Sequence, residues 1–134
     1  MKDRSTTEAR LDELLQGVRF PVRPETLERA WHLTPAEPST EILVIVTFRA
    51  KPGQMSELEE AAREFVVAAR QLEGGLFSGL YRSPQDPLTL TLVERFEDQS
   101  ALDRHMRESY FQRFQIAQRP LLSQPAEAAV LHRR

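Results

Sequence analysis

The sequence contains no cysteine, only five glycines and a single tryptophan among its 134 residues. Without cysteine, the chain cannot form disulfides, a thiolate nucleophile or a zinc site built on thiolates. The longest apolar run, residues 42 to 46, is far too short to cross a bilayer, and the first residues lack the apolar stretch of a secretion signal. These absences predict a cytoplasmic protein that does not enter a membrane.

Charge and composition narrow the class of protein further. Lysine and arginine total 18 against 20 aspartate and glutamate, so no excess of positive charge predicts binding to nucleic acid or to an anionic membrane surface. Hydrophobic residues make up 40% of the chain, enough to bury one packed core. The three histidines, His32, His105 and His132, lack the spacing of a ligand set, so no metal site is predicted.

Residues 1–40 are predicted to form a helical extension that ends in a proline-rich linker. Ser5 and Glu8 have the spacing of a capping box at the start of a helix, and Pro24 suits the first turn of a second short helix. Pro35 and Pro38 mark the linker, because proline interrupts regular pairing. The apolar stripes of the extension are too small to form a core of their own.

Residues 41–134 are predicted to form the main domain, with elements in the order β-α-β-β-α-β. Lys51-Pro52-Gly53 has the composition of a type II turn, and Asp98 is a natural helix N-cap. We expect the two prolines of the segment 83–87 to lie in a hairpin connection outside the ladder. The predicted strands are residues 42–48, 76–82, 88–96 and 126–132. One predicted helix has its apolar positions between Leu58 and Leu72, and two helical stretches after Asp98 have theirs between Ala101 and Leu122, with a break near Pro120. This order predicts a ferredoxin-like α+β fold, with helices on one face of a four-stranded antiparallel sheet.

The first strand is apolar on both of its faces, which predicts that something covers the sheet opposite the helices. Val44 and Val46 are expected to point toward the helices, and Leu43 and Ile45 toward the other face. Exposing those side chains would forgo roughly 1.5–3 kcal/mol each. We expect a homodimer in which two sheets pack face to face; the alternative cover is the N-terminal extension folding back.

Residues 41 to about 125 resemble the antibiotic biosynthesis monooxygenase family. Three stretches carry the resemblance: Phe48-Arg49-Ala50-Lys51-Pro52-Gly53, Leu92-Val93-Glu94-Arg95-Phe96-Glu97-Asp98, and Ala101 to Met106 followed by Ser109-Tyr110-Phe111. The resemblance implies a dimeric α/β barrel without flavin, metal or another cofactor. The implied activity is oxygenation of a small aromatic or polycyclic phenol or quinol, held in a pocket between helices and sheet.

Three residues are the candidate catalytic groups. His105 lies on an apolar helical stripe, where it is either a general base or a buried structural histidine. Glu94 shares an apolar strand face, so its carboxylate needs a partner, either a substrate or His105, or an arginine at the strand end. Tyr110 stands where relatives carry a polar residue, and it is either a hydrogen-bond donor or part of the core.

Aromatic and aliphatic residues are the candidate substrate-binding wall. Phe96 occupies the position where the family commonly has tryptophan, and a phenyl ring cannot donate a hydrogen bond as indole does. Residues proposed to line the pocket with it are Phe65, Phe111 and Val46.

Two other classes of function remain open at this point. The same fold serves a non-catalytic small-molecule-binding or assembly module, and an isomerase or cyclase would use the same pocket and base. The haem-degrading branch of related barrels is disfavoured, because Val46, His105 and Gln115 stand where that branch has asparagine, tryptophan and a haem-ligating histidine.

Overall fold

A computed structural model describes residues 39–134, and the extension predicted for the N-terminal segment lies almost wholly outside the described residues. The elements, in chain order, are β1 (Ile42–Arg49), α1 (Met55–Ala69), β2 (Gly75–Ser83), β3 (Asp86–Phe96), α2 (Gln99–Arg107), α3 (Ser109–Gln118), a 3-10 turn (Arg119–Leu121) and β4 (Glu127–His132). Within this described part of the chain, no helix is both long and apolar enough to cross a membrane.

The four strands form one antiparallel sheet in the order β2-β3-β1-β4. Val44 of β1 lies opposite Glu94 of β3 and Val130 of β4. Among residues 39–134, the helices pack on one face of this sheet and no element of this part covers the other, which we call the open face. The predicted ferredoxin-like α+β fold is therefore confirmed.

Alternation along β1 and β3 decides which side chains reach the helices. Ile42, Val44 and Phe48 of β1 are buried, whereas Leu43 and Ile45 are only partly covered on the open face. On β3 the buried positions are Leu90, Leu92, Glu94 and Phe96. A strand turns successive side chains to opposite faces, so Glu94 is carried into the apolar layer beneath the helices.

The turn between β1 and α1 has the predicted type II geometry. Gly53 has a φ of 82°, and the backbone N–H of Gln54 donates to the carbonyl of Lys51 at 3.0 Å. Position three of a type II turn requires a positive φ, which glycine adopts without steric cost. The sequence prediction of this turn is confirmed.

Three local predictions differ from the structure. Pro87 lies inside β3 and not in the hairpin connection, but it sits at a break in the pairing with β2, so its missing N–H removes no ladder bond. Helix α1 ends at Ala69 rather than near Leu72. The helical spacing of Phe114 and Ala117 predicts that Ala117 lies on the buried side of α3, but Ala117 is exposed and its neighbour Gln118 is buried instead.

Candidate functional site

A cavity of about 820 Å³ lies between α2, α3 and the β1–β4 side of the sheet. This volume is within the range of small-molecule sites. Most of its wall is apolar and comes from β1, β3, α1 and the two later helices: Val44, Val46, Phe65, Leu92, Phe111 and Phe114. Its polar lining residues are Glu94 and His105, Gln99 at the start of α2, and a group around the end of α3: Gln115, Gln118, Arg119 and Gln124.

Local structure places Glu94 and His105 against each other. The side chain of Asp98 caps α2, its Oδ1 accepting from the backbone N–H of Ala101 at 2.9 Å. The helix then turns Ala101 and His105, four residues apart, toward the sheet. His105 is 1% exposed and Glu94 is 3% exposed, so both titratable groups are withdrawn from solvent.

Four side chains from different elements form a buried polar chain, which we call the Glu94 cluster. Ser78 Oγ donates to Glu94 Oε2 at 3.2 Å, and Glu94 Oε1 lies 3.3 Å from His105 Nε2. His105 Nδ1 is hydrogen-bonded to the Tyr110 hydroxyl at 2.6 Å. The cluster thus connects β2, β3, α2 and α3 at the wall of the cavity.

The environment of Tyr110 keeps its hydroxyl protonated. Burial, reinforced by the negative charges of Glu94 and Glu108, raises the pKa of Tyr110 to about 12. The protonated Tyr110 hydroxyl can donate to Nδ1 of His105, and a neutral imidazole then carries its own proton on Nε2, the nitrogen that faces Glu94. Nε2 lies within ion-pair distance of Glu94 Oε1 without hydrogen-bond geometry, and both residues line the cavity.

Aromatic rings enclose His105. Its ring centroid lies 5.2 Å from that of Phe65, 4.9 Å from Phe96 and 5.3 Å from Phe111. Such packing fixes the imidazole orientation and excludes water, which strengthens the electrostatic interactions of the pair with Glu94.

The structure divides the sequence-predicted site residues into two sets. Glu94, His105, Phe65, Phe111 and Val46 all line the cavity. Two others do not line it, and both contact His105 from behind: Tyr110 through its hydroxyl and Phe96 through its ring. The sequence left an arginine open as the partner of Glu94. Among residues 39–134 no arginine pairs with this carboxylate, and its partners are Ser78 and His105.

Sequence reasoning missed two polar residues of this region. Ser78 lies opposite Glu94 in the β2–β3 register, and pairing the two predicted strands would have shown a serine on an otherwise apolar face. Gln118 lies seven residues after Phe111 and four after Phe114, so all three share one face of the helix. That spacing was the available signal for its burial.

Comparison with known proteins identifies the family and the fold. The family model described as antibiotic biosynthesis monooxygenase matches residues 41–117. The chain belongs to this family. No curated protein matched it significantly.

Several solved structures share the fold of this member of the family. The protein PA3566 from Pseudomonas aeruginosa is 30% identical, with a TM-score of 0.67 over 74% of this chain and 99% of its own. Rv0793 from Mycobacterium tuberculosis is 26% identical, with a TM-score of 0.67 over 70% of this chain and 95% of its own. A structure described as an antibiotic biosynthesis monooxygenase is 24% identical, with a TM-score of 0.65 over 69% of this chain and 98% of its own.

Proposed function

We propose that this family member is a cofactor-independent monooxygenase that acts on a small aromatic or polycyclic phenol or quinol. The observation that carries the proposal is the Glu94–His105 pair, buried yet lining a largely apolar cavity of about 820 Å³. Perturbed or closely paired titratable groups in a ligand-sized pocket are typical of proton-transfer sites.

The proposed reaction begins with proton removal from the bound substrate. The Glu94 carboxylate accepts the proton, and His105, whose Nε2 faces that carboxylate and whose Nδ1 is hydrogen-bonded to Tyr110, holds it in position. Removing the proton leaves an electron-rich substrate anion that is itself able to reduce dioxygen. Val46, Phe65 and Phe111 provide the apolar contacts that hold the ring system and exclude water.

The overall reaction balances with dioxygen as the only other reactant. For a ring methylene such as that of anthrone, the carbon loses two hydrogens and forms a carbonyl, while dioxygen supplies one oxygen atom to that carbonyl. The second oxygen atom leaves as water, with the proton first taken by the Glu94–His105 pair returned to it. The substrate carbon is oxidised and dioxygen is reduced.

Oxygen uptake with anthrone and with naphthalene-1,4-diol tests the proposal. We expect Glu94→Gln and His105→Ala each to lower the rate by about a hundredfold or more, because general acid–base groups contribute that much. The matched controls are Glu57→Gln and His132→Ala, which change exposed residues away from the cavity. Both controls should retain the rate of the unaltered protein.

Two other outcomes favour the remaining candidate functions. Binding of these compounds, measured by calorimetry, without oxygen uptake would indicate a non-catalytic binding module. Conversion of a substrate to an isomer or cyclised product without oxygen uptake, still dependent on Glu94 and His105, would indicate an isomerase or cyclase. Equal rates in all four variants would contradict the proposed role of the pair.

We propose further that the active form is a homodimer joined through the open faces of two sheets. Members of the family are typically dimeric. The open face carries apolar side chains from all four strands: Leu43, Ile45, Phe77, Tyr81, Val93 and Leu131. Phe77 is 38% exposed and Leu131 is 49% exposed, and contact with a second sheet would remove this surface from water.

A further inference from the structure

Arg119 is the permanent positive charge in the wall of the cavity, among the residues that the structure describes. It directly follows α3 and is exposed to solvent, so the cavity is open at this end. No carboxylate of residues 39–134 lies within ion-pair distance of its guanidinium. Glu127, the nearest acidic residue in the sequence, lies opposite Thr47 on the open face of the sheet. The charge of Arg119 is therefore not neutralised within this part of the chain.

The other polar residues at this end of the cavity are neutral amides. Gln115 lies one helical turn before Arg119, so the two side chains share a face, and Gln124 also lines the cavity. Gln115 Oε1 accepts from Gln118 Nε2 at 3.1 Å, which engages the oxygen of Gln115 and leaves its N–H group as a donor. Among the described residues, this end combines a positive charge with hydrogen-bond donors and has no acidic side chain.

Arg119 and the Glu94–His105 pair lie at opposite ends of the cavity. The ring of Phe111 lies beside His105, with 5.3 Å between the ring centroids. Arg119 follows Phe111 by eight residues, or about 12 Å along the helix axis, and Phe114 lies between them on the cavity wall. The cavity thus has one charged group at each end and an apolar wall in between.

The two ends accept different groups of a ligand. A carboxylate beside Glu94 would place two negative charges together in a buried region, which is unfavourable. At the open end, a carboxylate keeps part of its hydration, and its two oxygens match the N–H groups of the Arg119 guanidinium. A neutral hydroxyl has no such conflict with Glu94 and can meet it as a proton donor.

We infer that Arg119 binds a carboxylate group of the ligand, at the end of the cavity remote from Glu94 and His105. The inference rests on the proposed function in one respect, that this cavity holds the substrate. It narrows the substrate to an elongated aromatic acid whose hydroxyl faces Glu94 and whose carboxylate faces the open end. Arg119 then selects the substrate and fixes which end of it meets the pair, and it takes no part in the reaction itself.

A positive charge at a helix C-terminus also has an effect that needs no ligand. It interacts favourably with the partial negative charge of the last carbonyl groups of α3. That effect requires only that the arginine lie near the end of the helix. It does not distinguish a charged ligand from a neutral one, so a comparison of two ligands separates the two roles.

Two ligands of matched shape test the inference by calorimetric titration at neutral pH, without any need for turnover. One is 6-hydroxynaphthalene-2-carboxylate, and the other is the neutral 6-hydroxynaphthalene-2-carboxamide. We expect the unaltered protein to bind the carboxylate about fivefold more tightly at low salt, the effect of one partly exposed ion pair. The ratio should shrink as salt is added, because salt screens exposed charges. A ratio of one or less at low salt overturns the inference.

Two arginine variants assign the preference to a residue. Arg119→Gln should lower the ratio to about one, because the guanidinium that meets the carboxylate is gone. The matched control Arg113→Gln removes one positive charge from an exposed position of α3 outside the cavity wall, and it should keep the ratio of the unaltered protein. An equal loss in both variants would indicate a general effect of net charge and overturns the role of Arg119.

An unchanged ratio in Arg119→Gln also overturns the inference. If the melting temperature of that variant falls at the same time, the arginine serves the end of α3 alone. Neither result affects the proposed function, which is measured by oxygen uptake with anthrone, a compound without a carboxylate. Conversely, a carboxylate preference that depends on Arg119 in a protein without oxygen uptake would support the inference and contradict the proposed function.

Discussion

At the scale of single residues, Tyr110 decides the proton arrangement of the site. Its hydroxyl holds Nδ1 of His105 at 2.6 Å, and its raised pKa keeps it a neutral donor throughout the physiological range. The ring nitrogen that faces Glu94 is then the one that carries the mobile proton. A phenol bonded to Nδ1 thus determines which ring nitrogen of His105 would take part in the proposed proton transfer.

Tyr110→Phe tests this role, since it removes the hydroxyl and keeps the ring. At neutral pH we expect the free energy of unfolding to fall by about 1–3 kcal/mol, because Nδ1 of His105 loses its buried partner. The pKa of Tyr110 rises from 10 to about 12 on folding, so the unfolded chain loses this proton first. The stability that Tyr110 provides should therefore decrease as pH rises from 10 toward 12.

Urea unfolding across this pH range measures the effect. The difference between the unaltered protein and Tyr110→Phe should narrow as pH rises from 10 to 12. A difference for Tyr110→Phe that stays constant between pH 10 and 12 would contradict the assigned burial of its hydroxyl.

At the scale of elements, the approach of α2 to the start of β2 positions His105. Gly74 has a φ of 85°, and a Cβ atom placed on it would lie 2.8 Å from the Cβ of Ala101. Ala101 is fully buried one turn before His105. The absence of a side chain at residue 74 therefore allows α2 to pack close enough for His105 to meet Glu94.

Two glycine substitutions separate backbone strain from this close packing. Gly74 and Gly53 have nearly equal positive φ values, but a Cβ on Gly53 would meet no atom within 4 Å. Gly53→Ala should cost about 1–2 kcal/mol for the left-handed backbone alone. Gly74→Ala should cost about 1–3 kcal/mol more, because the added methyl group overpacks the contact with Ala101.

Denaturant midpoints for the two alanine variants measure this difference. A larger shift for Gly74→Ala supports tight packing between α2 and the β2 turn. Equal shifts would show that the contact relaxes without cost, and that α2 is not held in place by residue 74.

At the scale of the whole molecule, the open sheet face predicts the oligomeric state. Ile45 lies near the middle of that face, opposite Val93 on one side and Ala129 on the other. Ile45→Glu would place a charge where the second sheet packs, and an unpaired buried charge is strongly unfavourable. We expect the unaltered protein to be dimeric and Ile45→Glu to be monomeric by light scattering.

A second variant controls for the effect of added charge. Val67 is 61% exposed on the outer side of α1, so Val67→Glu should remain dimeric. A monomeric unaltered protein, or dissociation of both variants alike, would contradict assembly through the sheet.

Local sequence patterns determined the elements of this fold. Alternation along β1 and β3 placed Val44 and Glu94 on the helix side, the positive φ of Gly53 followed from turn chemistry, and Asp98 capped α2 as expected. These features depend on neighbours within a few residues, so the chain specifies them without reference to distant partners.

Only the tertiary structure decided how the site is assembled. Alternation carries Glu94 to a face, but strand register brings Ser78 beside it, and the rotation of α3 places Tyr110 behind His105 instead of in the cavity. The same rotation buries Gln118 with an acceptor to spare. Register and helix rotation arise from packing between segments distant in sequence, which the local periodicity of any one segment does not encode.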